Sequence, residues 1–315
     1  MKPTYSVIIP VHNEEKSIQP LYVRLKNVLD KLPSKSEIIF VDDGSTDNTF
    51  NLIQSLSKED PRVRGIRFLR NFKKSAAYMA GFRASRGEVI ITMDGDLQDV
   101  PEEIPKFIEA IKNYDLVVGW KFKRKDPLVR RAASKTFNFL NSKFFGLKIH
   151  DSDCGFRAIK ADVAKKLNLY GDLYRYVPAL VSALGYTVGE VKIEHHERKF
   201  GRSRYGAKRL FTGSFDLLTV KYMIDSNERP LHLFGGIGLI SSLLGFIICF
   251  YLLLLKIIYG ATIMDRPLLL LGVLLLIVGI QFIMLGFIGD MIVRMYYENP
   301  ERNTYTVAEE VGTAD

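Results

Sequence analysis

Short apolar runs alternate with amphipathic stretches over roughly the first 170 residues of the chain. Five runs are apolar and rich in β-branched residues, at positions 7–9, 38–41, 65–68, 89–93 and 116–118. Such runs predict buried strands. Stretches between them, such as 18–32 and 104–112, have apolar residues at helical spacing. The alternation predicts an α/β domain, a Rossmann-like and mostly parallel sheet with helices on both faces.

The pattern changes after Arg229. Residues 233–255 and 268–289 contain no charged side chain, and each segment has the roughly 20 apolar residues that a membrane-spanning helix needs. Two buried core helices are the alternative, but soluble helices of this length normally have a polar face. The short loop between the segments predicts a two-helix transmembrane hairpin.

These patterns divide the chain into six segments. We expect a catalytic domain at 1–206, an amphipathic interfacial segment at 207–230, transmembrane helices at 231–259 and 268–293, an external loop at 260–267 and a tail at 294–315. The first apolar run is too short for a signal peptide. Lys and Arg abound before the first span, and Arg294 and Arg302 follow the second. We therefore expect a multi-pass protein of the inner (plasma) membrane with both termini cytoplasmic.

Composition narrows the choice of partners. The formal net charge of +9 favours an anionic partner, such as nucleic acid, anionic lipid or a phosphorylated small molecule. Two cysteines, Cys154 and Cys249, lie far apart in the sequence, which indicates neither a disulfide framework nor a cysteine zinc site. The two predicted spans argue against a nucleic-acid partner and for the membrane.

Acidic side chains follow three of the predicted strands. They are Glu14 after the first strand, Asp42, Asp43 and Asp47 after the second, and Asp94 and Asp96 after the fourth. Because the carboxyl ends of parallel strands meet at one edge, these charges crowd together and require a counter-charge. Mg²⁺ or Mn²⁺ that also binds a diphosphate fits this requirement. The alternative for Asp94 and Asp96 is a turn that caps the helix near Pro101.

Five segments resemble the family 2 inverting glycosyltransferases, which have a GT-A fold. The segments are SVIIPVHNE at 6–14, VDDGSTD at 41–47, RNFKK at 70–74, MDGDLQ at 93–98 and GFR at 155–157. They span the predicted soluble domain in order. Within the family, the chain resembles the dolichyl-phosphate mannosyltransferase and bacterial polyprenyl-phosphate glycosyltransferase branch. Its C-terminal hairpin is similar to that of the bactoprenol glucosyltransferase type.

The resemblance implies roles for single positions. The positions that match the family's base and ribose contacts are Pro10, His12, Glu14, Val41 and Asp43. Asp94 and Gly95 match the contacts to the nucleotide-sugar, and Asp96 with Gln98 matches the Mg²⁺ or Mn²⁺ ligands. The phosphate contacts implied are Lys121, Arg198 and Arg204 for the donor, and Arg131 and Ser134 for the acceptor. The implied catalytic residues are Asp94, Asp96, Arg198 and, near the acceptor, Asp153.

The implied reaction is transfer of a hexose to polyprenyl (undecaprenyl) phosphate, with glucose from UDP-glucose favoured. A lipid phosphate is mostly a dianion near neutral pH, so the reaction needs no general base. The alternatives are a GDP-mannose-dependent dolichyl- or polyprenyl-phosphate mannosyltransferase and a non-catalytic membrane scaffold. A processive synthase would carry Gln-x-x-Arg-Trp, but the single tryptophan is Trp120.

Two further patterns concern the membrane. Aromatic-rich stretches at 137–145 and 210–222 are flanked by Lys and Arg, as interfacial helices are, although core packing explains them equally well. Glycines at 235–238 and 286–289 allow close helix contact. We expect the spans to provide an anchor and the packing surface of a homo-oligomer.

Overall fold

The structure is a computed structural model that describes residues 3–122, 145–147, 149–194, 196, 230–260, 267–297 and 305–312. The chain divides into two compact units, residues 1–221 with 303–315, and residues 222–302. The carboxyl-terminal residues therefore belong to the same unit as the amino-terminal domain.

The first unit is built on one sheet. The strands of the described residues are β1 (Tyr5–Val11), β2 (Ser36–Asp42), β3 (Val63–Phe68), β4 (Val89–Thr92), β5 (Leu116–Lys121), β6 (Arg157–Lys160), β7 (Val188–Ile193) and β8 (Val307–Val311). Their spatial order is β7-β5-β6-β4-β1-β2-β3-β8. Strands β1 to β4 run parallel, as do β5 and β7, whereas β6 and β8 run antiparallel to their neighbours. The predicted mostly parallel α/β sheet and its five strands are confirmed.

Helices connect and cover these strands. They are α1 (Glu15–Leu29), α2 (Thr49–Glu59), α3 (Lys73–Ala84), α4 (Ile104–Ala110), α5 (Ala161–Ala164) and α6 (Val177–Ala183). In α1 the residues Ile18, Leu21 and Leu25 are fully buried, which is the helical periodicity seen in the sequence. Every residue of β2 is buried, which explains its uninterrupted apolar run.

The strand register places three turns side by side. Val11 at the end of β1 pairs with Asp42 at the end of β2, and Ile8 of β1 pairs with Thr92, the last residue of β4. The segments that follow these strands therefore leave the sheet at one edge, which we call the carboxyl edge. The opposite edge, where these strands begin, is the amino edge.

Strand β8 was not predicted from the sequence. It pairs antiparallel with β3, and the ring of Tyr305 stacks on Phe68 with centroids 5.0 Å apart. Gln54 Nε2 also donates a hydrogen bond to Glu309 Oε1 at 2.6 Å. The strand sequence VAEEV is exposed at four of its five positions, so it lacks the alternation that marks a half-buried strand.

The second unit contains two long apolar helices, α7 (Pro230–Tyr259) and α8 (Pro267–Tyr297). Both are long and apolar enough to cross a membrane. Glycines lie where the helices pack together: a Cβ on Gly238 would be 2.5 Å from the carbonyl oxygen of Gly279, and one on Gly245 would be 2.6 Å from that of Gly272. The predicted pair of apolar helices that can form a hairpin is confirmed, and small residues permit their close contact.

Candidate active site

Hydrogen bonds hold together the turns after β1 and β2. Asn13 has a φ of 57°, a left-handed conformation that asparagine tolerates better than most residues. Its Oδ1 accepts a hydrogen bond from the Thr46 amide, and its own amide donates to Ser45 Oγ, both at 2.8 Å. His12 Nδ1 donates to the Asp43 carbonyl oxygen at 2.8 Å. These bonds fix the spacing of two turns that the sequence places at one edge.

Asp43 joins the turn after β2 to the start of α3. Its Oδ1 accepts the Phe72 amide at 2.6 Å, and its Oδ2 accepts the Lys73 amide at 2.9 Å. Burial raises the pKa of Asp43, and these two hydrogen bonds offset part of that effect. Gly44 has a φ of +67°, and a Cβ there would lie 2.5 Å from the carbonyl carbon of Arg70. Glycine at position 44 is therefore required for this close backbone approach.

An ion pair occupies the turn after β4. Lys74 Nζ donates to Asp94 Oδ1 at 2.5 Å, and the ring centroids of Tyr78 and Tyr174 lie 5.5 and 5.4 Å from the same nitrogen. Burial alone would raise the pKa of Asp94, but Lys74 and then Lys121 lower it below its ordinary value. Asp94 is thus held as a carboxylate, with a third of its side-chain surface (33%) exposed.

Asp99 stabilises the same turn through a hydrogen bond to its backbone. It is fully buried, its Oδ2 accepts the Asp94 amide at 3.0 Å, and its Oδ1 lies 3.6 Å from Lys121 Nζ at the end of β5. Burial raises the pKa of Asp99 to about 6. Burial also raises the pKa of the neighbouring Cys154 to about 12, so this cysteine stays a thiol at neutral pH. Because Lys121 lies close to Asp99 and acts on Asp94, it adds a positive charge to these two carboxylates.

Asp96 and Gln98 belong to the same turn after β4. Asp96 is buried and its Oδ1 accepts the Gln98 amide at 3.2 Å, while Gln98 Nε2 donates to the His196 carbonyl oxygen at 3.4 Å. Among the described residues, no three His, Cys, Asp or Glu side chains are grouped closely enough to hold a metal ion. A carboxylate and an amide oxygen nevertheless fit Mg²⁺, which usually takes few protein ligands and completes its shell with phosphate and water.

Asp153 lies near Arg175 and within the electrostatic influence of Lys74. Its Oδ1 is 3.7 Å from Arg175 Nε, and burial raises its pKa, although Arg175 opposes this effect. Gly155, two residues further along the chain, packs against the ion pair: a Cβ at Gly155 would lie 3.0 Å from both Asp94 Oδ1 and Lys74 Nζ. A residue with a side chain at this position would therefore press on the Lys74–Asp94 pair.

The structure thus places many of the predicted site residues at the carboxyl edge. Pro10 and Val41 are paired in the β1–β2 register, Val41 is fully buried, and the Glu14 amide donates to Thr49 Oγ1 at 2.9 Å. Gly95 is packed so closely that a Cβ would lie 2.7 Å from a Val11 methyl carbon. The ligand contacts implied for these residues stay predictions. Four predicted phosphate-binding residues lie outside the described residues: Arg131, Ser134, Arg198 and Arg204.

Two residues of the site had no predicted role. Lys74 falls inside the RNFKK segment, and Asp99 follows the MDGDLQ segment directly. Both would have been candidates on the ground that charged residues next to a strand-end carboxylate must be balanced or buried. That both contact Asp94 depends on packing, such as that of α3 against the sheet, which the sequence pattern does not contain.

The comparison with known proteins agrees with this geometry. A sequence profile described as Glycosyl transferase family 2 matches residues 6–167. The dodecaprenyl-phosphate galacturonate synthase of Rhizobium johnstonii is 37% identical over 310 residues, which cover 96% of this chain and 92% of that protein. This chain belongs to glycosyl transferase family 2. The resemblance found in the sequence motifs is confirmed.

Two further proteins are similar to this family 2 chain, one in sequence and one in structure. The undecaprenyl-phosphate 4-deoxy-4-formamido-L-arabinose transferase of Shewanella sediminis is 36% identical over 307 residues, covering 96% of this chain and 91% of that protein. Glucosyl-3-phosphoglycerate synthase from Mycobacterium tuberculosis, crystallised with Mn²⁺ and UDP-glucose, superposes with a TM-score of 0.55 at 17% identity. That alignment covers 72% of this chain and 82% of the other, and it confirms the GT-A fold.

Proposed function

We propose that this family 2 glycosyltransferase moves a sugar from a nucleotide-sugar to a polyprenyl phosphate. One observation carries the proposal. Similarity to the two polyprenyl-phosphate sugar transferases named above extends over 96% of this chain, so it includes both the carboxyl edge and the two apolar helices. A transferase with a soluble acceptor would have no need of such helices.

Glucose from UDP-glucose is the first sugar to test, because the hairpin resembles the bactoprenol glucosyltransferase type. The names of the two relatives specify galacturonate and 4-deoxy-4-formamido-L-arabinose instead. Relatives at similar identity thus transfer different sugars to the same class of lipid. A donor panel must therefore include a neutral hexose, mannose as the alternative, a uronate and an amino- or formamido-pentose.

Each group of site residues has a role in this proposal. Asp94, fixed by Lys74 and by Asp99 behind it, orients the donor sugar through a carboxylate that stays ionised. Asp96 and Gln98 hold Mg²⁺ or Mn²⁺. When bound, that ion supplies positive charge for the diphosphate. Lys121, together with Arg198 and Arg204, adds further charge beside the donor phosphates, and Arg131 and Ser134 bind the acceptor phosphate.

The proposed step is a single displacement. An oxygen of the lipid phosphate forms a bond to the anomeric carbon while the bond from that carbon to the diphosphate oxygen breaks. The departing nucleoside diphosphate keeps the electron pair, and the configuration at the anomeric carbon inverts. A lipid phosphate, whose second pKa is about 6, is already mostly a dianion at neutral pH. The carboxylates, Asp153 among them, therefore need to position the reactants rather than remove a proton.

The two apolar helices support a place in the inner (plasma) membrane. Strand β8 follows them in the chain and pairs with β3 of the first unit. Because the segments before and after the helices belong to one folded unit, a chain that crosses the bilayer between them must cross it an even number of times. This supports the proposal of two spans with both soluble ends on the same side, and the Lys and Arg residues that flank the spans support the cytoplasmic side. The six segment boundaries given above and a homo-oligomer remain predictions.

The test is a transfer assay with purified protein in detergent. Undecaprenyl phosphate, Mg²⁺ or Mn²⁺ and each radiolabelled donor are incubated with wild type and Asp96→Asn, and the lipid fraction is counted. 3-Phosphoglycerate serves as a matched soluble phosphate acceptor. We expect metal-dependent label in the lipid with one donor, inverted at the anomeric carbon. Transfer to 3-phosphoglycerate alone, or hydrolysis alone with every donor, would contradict the proposed acceptor.

A further inference from the structure

An aromatic and cationic cluster lies outside the proposed reaction site, at the end of β5 and on the side of the sheet away from Lys121. Trp120 stacks on the ring of His150, with centroids 3.9 Å apart and planes 9° from parallel. Phe122 meets Trp120 edge-on, with ring centroids 5.2 Å apart. Lys192 Nζ lies 4.9 Å from the centroids of both Trp120 and Phe122. The reaction proposed above uses none of these four side chains.

The charges within the cluster are arranged so that the cation faces the aromatic rings. His150 Nδ1 lies 2.5 Å from Glu190 Oε1, and its backbone amide donates to Glu190 Oε2 at 2.7 Å. The Glu190 carboxylate is thus held by His150, whereas Lys192 lies over the rings of Trp120 and Phe122. The β5–β7 register places Trp120 opposite Lys192, so neighbouring strands present an aromatic ring and an ammonium group side by side.

Phe122 has 56% of its surface exposed. Exposing a large aromatic side chain to water is unfavourable. The sequence that continues from it, KRKDPLVRR at 123–131, carries five basic residues and one acidic residue. Aromatic rings beside Lys and Arg are the composition of surfaces that rest at the membrane interface. Basic residues there attract the negative surface of anionic lipids.

The location of the cluster is set by one strand. Trp120 and Lys121 are neighbours at the end of β5, so their side chains point to opposite faces, and Lys121 reaches the Asp99 carboxylate. The phosphate of a polyprenyl phosphate lies at the level of the lipid head groups. If the proposed function holds, the carboxyl edge must come close to the bilayer surface, and this end of β5 comes with it.

We infer that Trp120, Phe122 and Lys192 form a contact surface for an anionic lipid bilayer. The rings enter the head-group region, and Lys192 binds lipid phosphate beside them. The surface holds the end of β5 at the membrane, and thereby holds Lys121 and the donor site at the height where a lipid phosphate can reach them. The inference rests on the proposed function for its purpose, but its geometry can be tested without any sugar transfer.

Trp120 is the only tryptophan of the chain, so all tryptophan emission reports on this surface. The full chain is reconstituted into vesicles of phosphatidylglycerol and phosphatidylcholine, and emission is compared with ordinary and with acyl-brominated phosphatidylcholine. Aqueous iodide is the second quencher. We expect brominated lipid to quench Trp120 more than iodide does, and Lys192→Glu to reduce that quenching as phosphatidylglycerol content rises.

The matched control moves the tryptophan to a position just before β5. Tyr114, with 39% of its surface exposed, precedes β5 and lies about 20 Å from residue 120 at the rise of an extended strand. In Trp120→Phe/Tyr114→Trp protein we expect iodide to quench and brominated lipid to have little effect. The inference is overturned if wild type is quenched by iodide and not by brominated lipid, which means exposure to water. It is equally overturned if neither quencher acts, which means that protein covers the ring.

Discussion

The pKa values of buried carboxylates are shifted in opposite directions at the two edges of the sheet. At the amino edge, Asp60 accepts hydrogen bonds from Arg62 and Tyr22, and although burial opposes it, Arg62 holds the pKa of Asp60 down at about 2. At the carboxyl edge, burial raises the pKa of Asp42, Asp43, Asp99 and Asp153. The amino edge stabilises the ionised form of Asp60, whereas burial at the carboxyl edge destabilises the ionised form of these four carboxylates.

Asp94 is the exception that explains the difference. Its charge is secured by Lys74, whose Nζ lies 2.5 Å from Oδ1. The cations beside three of its neighbours are more distant: Arg67 is 3.7 Å from Asp42, Lys121 is 3.6 Å from Asp99 and Arg175 is 3.7 Å from Asp153. Groups whose ionisation a folded protein disfavours are common at functional sites, where a ligand or metal supplies the missing charge. From this difference we propose that the amino edge serves folding and the carboxyl edge serves binding. Substitutions at the two edges should therefore separate stability from activity.

The largest effect should come from Asp96→Asn. The change keeps the shape and the hydrogen bond from the Gln98 amide but removes the charge that we propose binds the metal. Loss of one such electrostatic contact costs about 10²–10³-fold in rate, so kcat/KM for lipid-linked product should fall by that amount. The thermal midpoint should not fall. Glu109→Gln, an exposed carboxylate on α4, is the control with unchanged activity.

Lys74→Met comes next. Without the ammonium group, the Asp94 carboxylate loses the charge that holds it in place, and a small displacement of a positioning group costs on the order of 10²-fold in rate. Lys74→Arg keeps the charge and should keep part of the activity. Both variants are to be compared by kcat/KM and by donor binding. Equal activity of Lys74→Met and wild type would show that the ion pair has no part in the reaction.

At the amino edge, Asp60→Asn should reduce stability and leave activity intact. Hydrogen bonds to an ionised group contribute about 2 kcal/mol, and denaturant unfolding at neutral pH should show a loss of that size. The folded-state pKa of Asp60 lies below its ordinary value of 3.8, so its contribution is present above that value and is lost as the pH falls toward 2. The variant should lack this acid dependence. An unchanged pH profile would contradict the role given to Asp60.

The smallest effect is expected from Lys112→Ala. Lys112 Nζ pairs with Glu109 at 2.6 Å, but the two side chains are 63% and 74% exposed. Exposed pairs of this kind contribute little, so neither the thermal midpoint nor the transfer rate should change measurably. A clear loss of stability would show that exposure is a poor guide to which ion pairs matter in this domain.

Much of this contrast could be predicted from the sequence, because it is carried by local pattern. The apolar runs predicted β1 to β5. Because Asp43, Asp94 and Asp96 follow these runs closely, they were predicted to lie at the carboxyl edge. Strand β8 could not be predicted, because its two glutamates face solvent and only pairing with β3 makes it a strand.

The contacts of two site residues with Asp94 could not be predicted from the sequence, for a related reason. Lys74 and Asp99 are recognisable as charged residues near a motif, but their contacts with Asp94 arise from long-range packing. Lys74 is brought to the turn by α3, which packs against β1 and β2. Asp99 is buried beneath the turn by the chain that continues into α4. Neither arrangement has a periodicity that a sequence could display.

The most direct measurement puts both edges into one experiment. Wild type, Asp96→Asn and Asp60→Asn are assayed at equal folded concentration for transfer of label from the active donor to undecaprenyl phosphate, and their thermal midpoints are recorded together. We predict that Asp96→Asn loses transfer and keeps its midpoint, whereas Asp60→Asn keeps transfer and loses midpoint. Full transfer by Asp96→Asn, or loss of transfer by folded Asp60→Asn, would contradict the assignment of catalysis to the carboxyl edge.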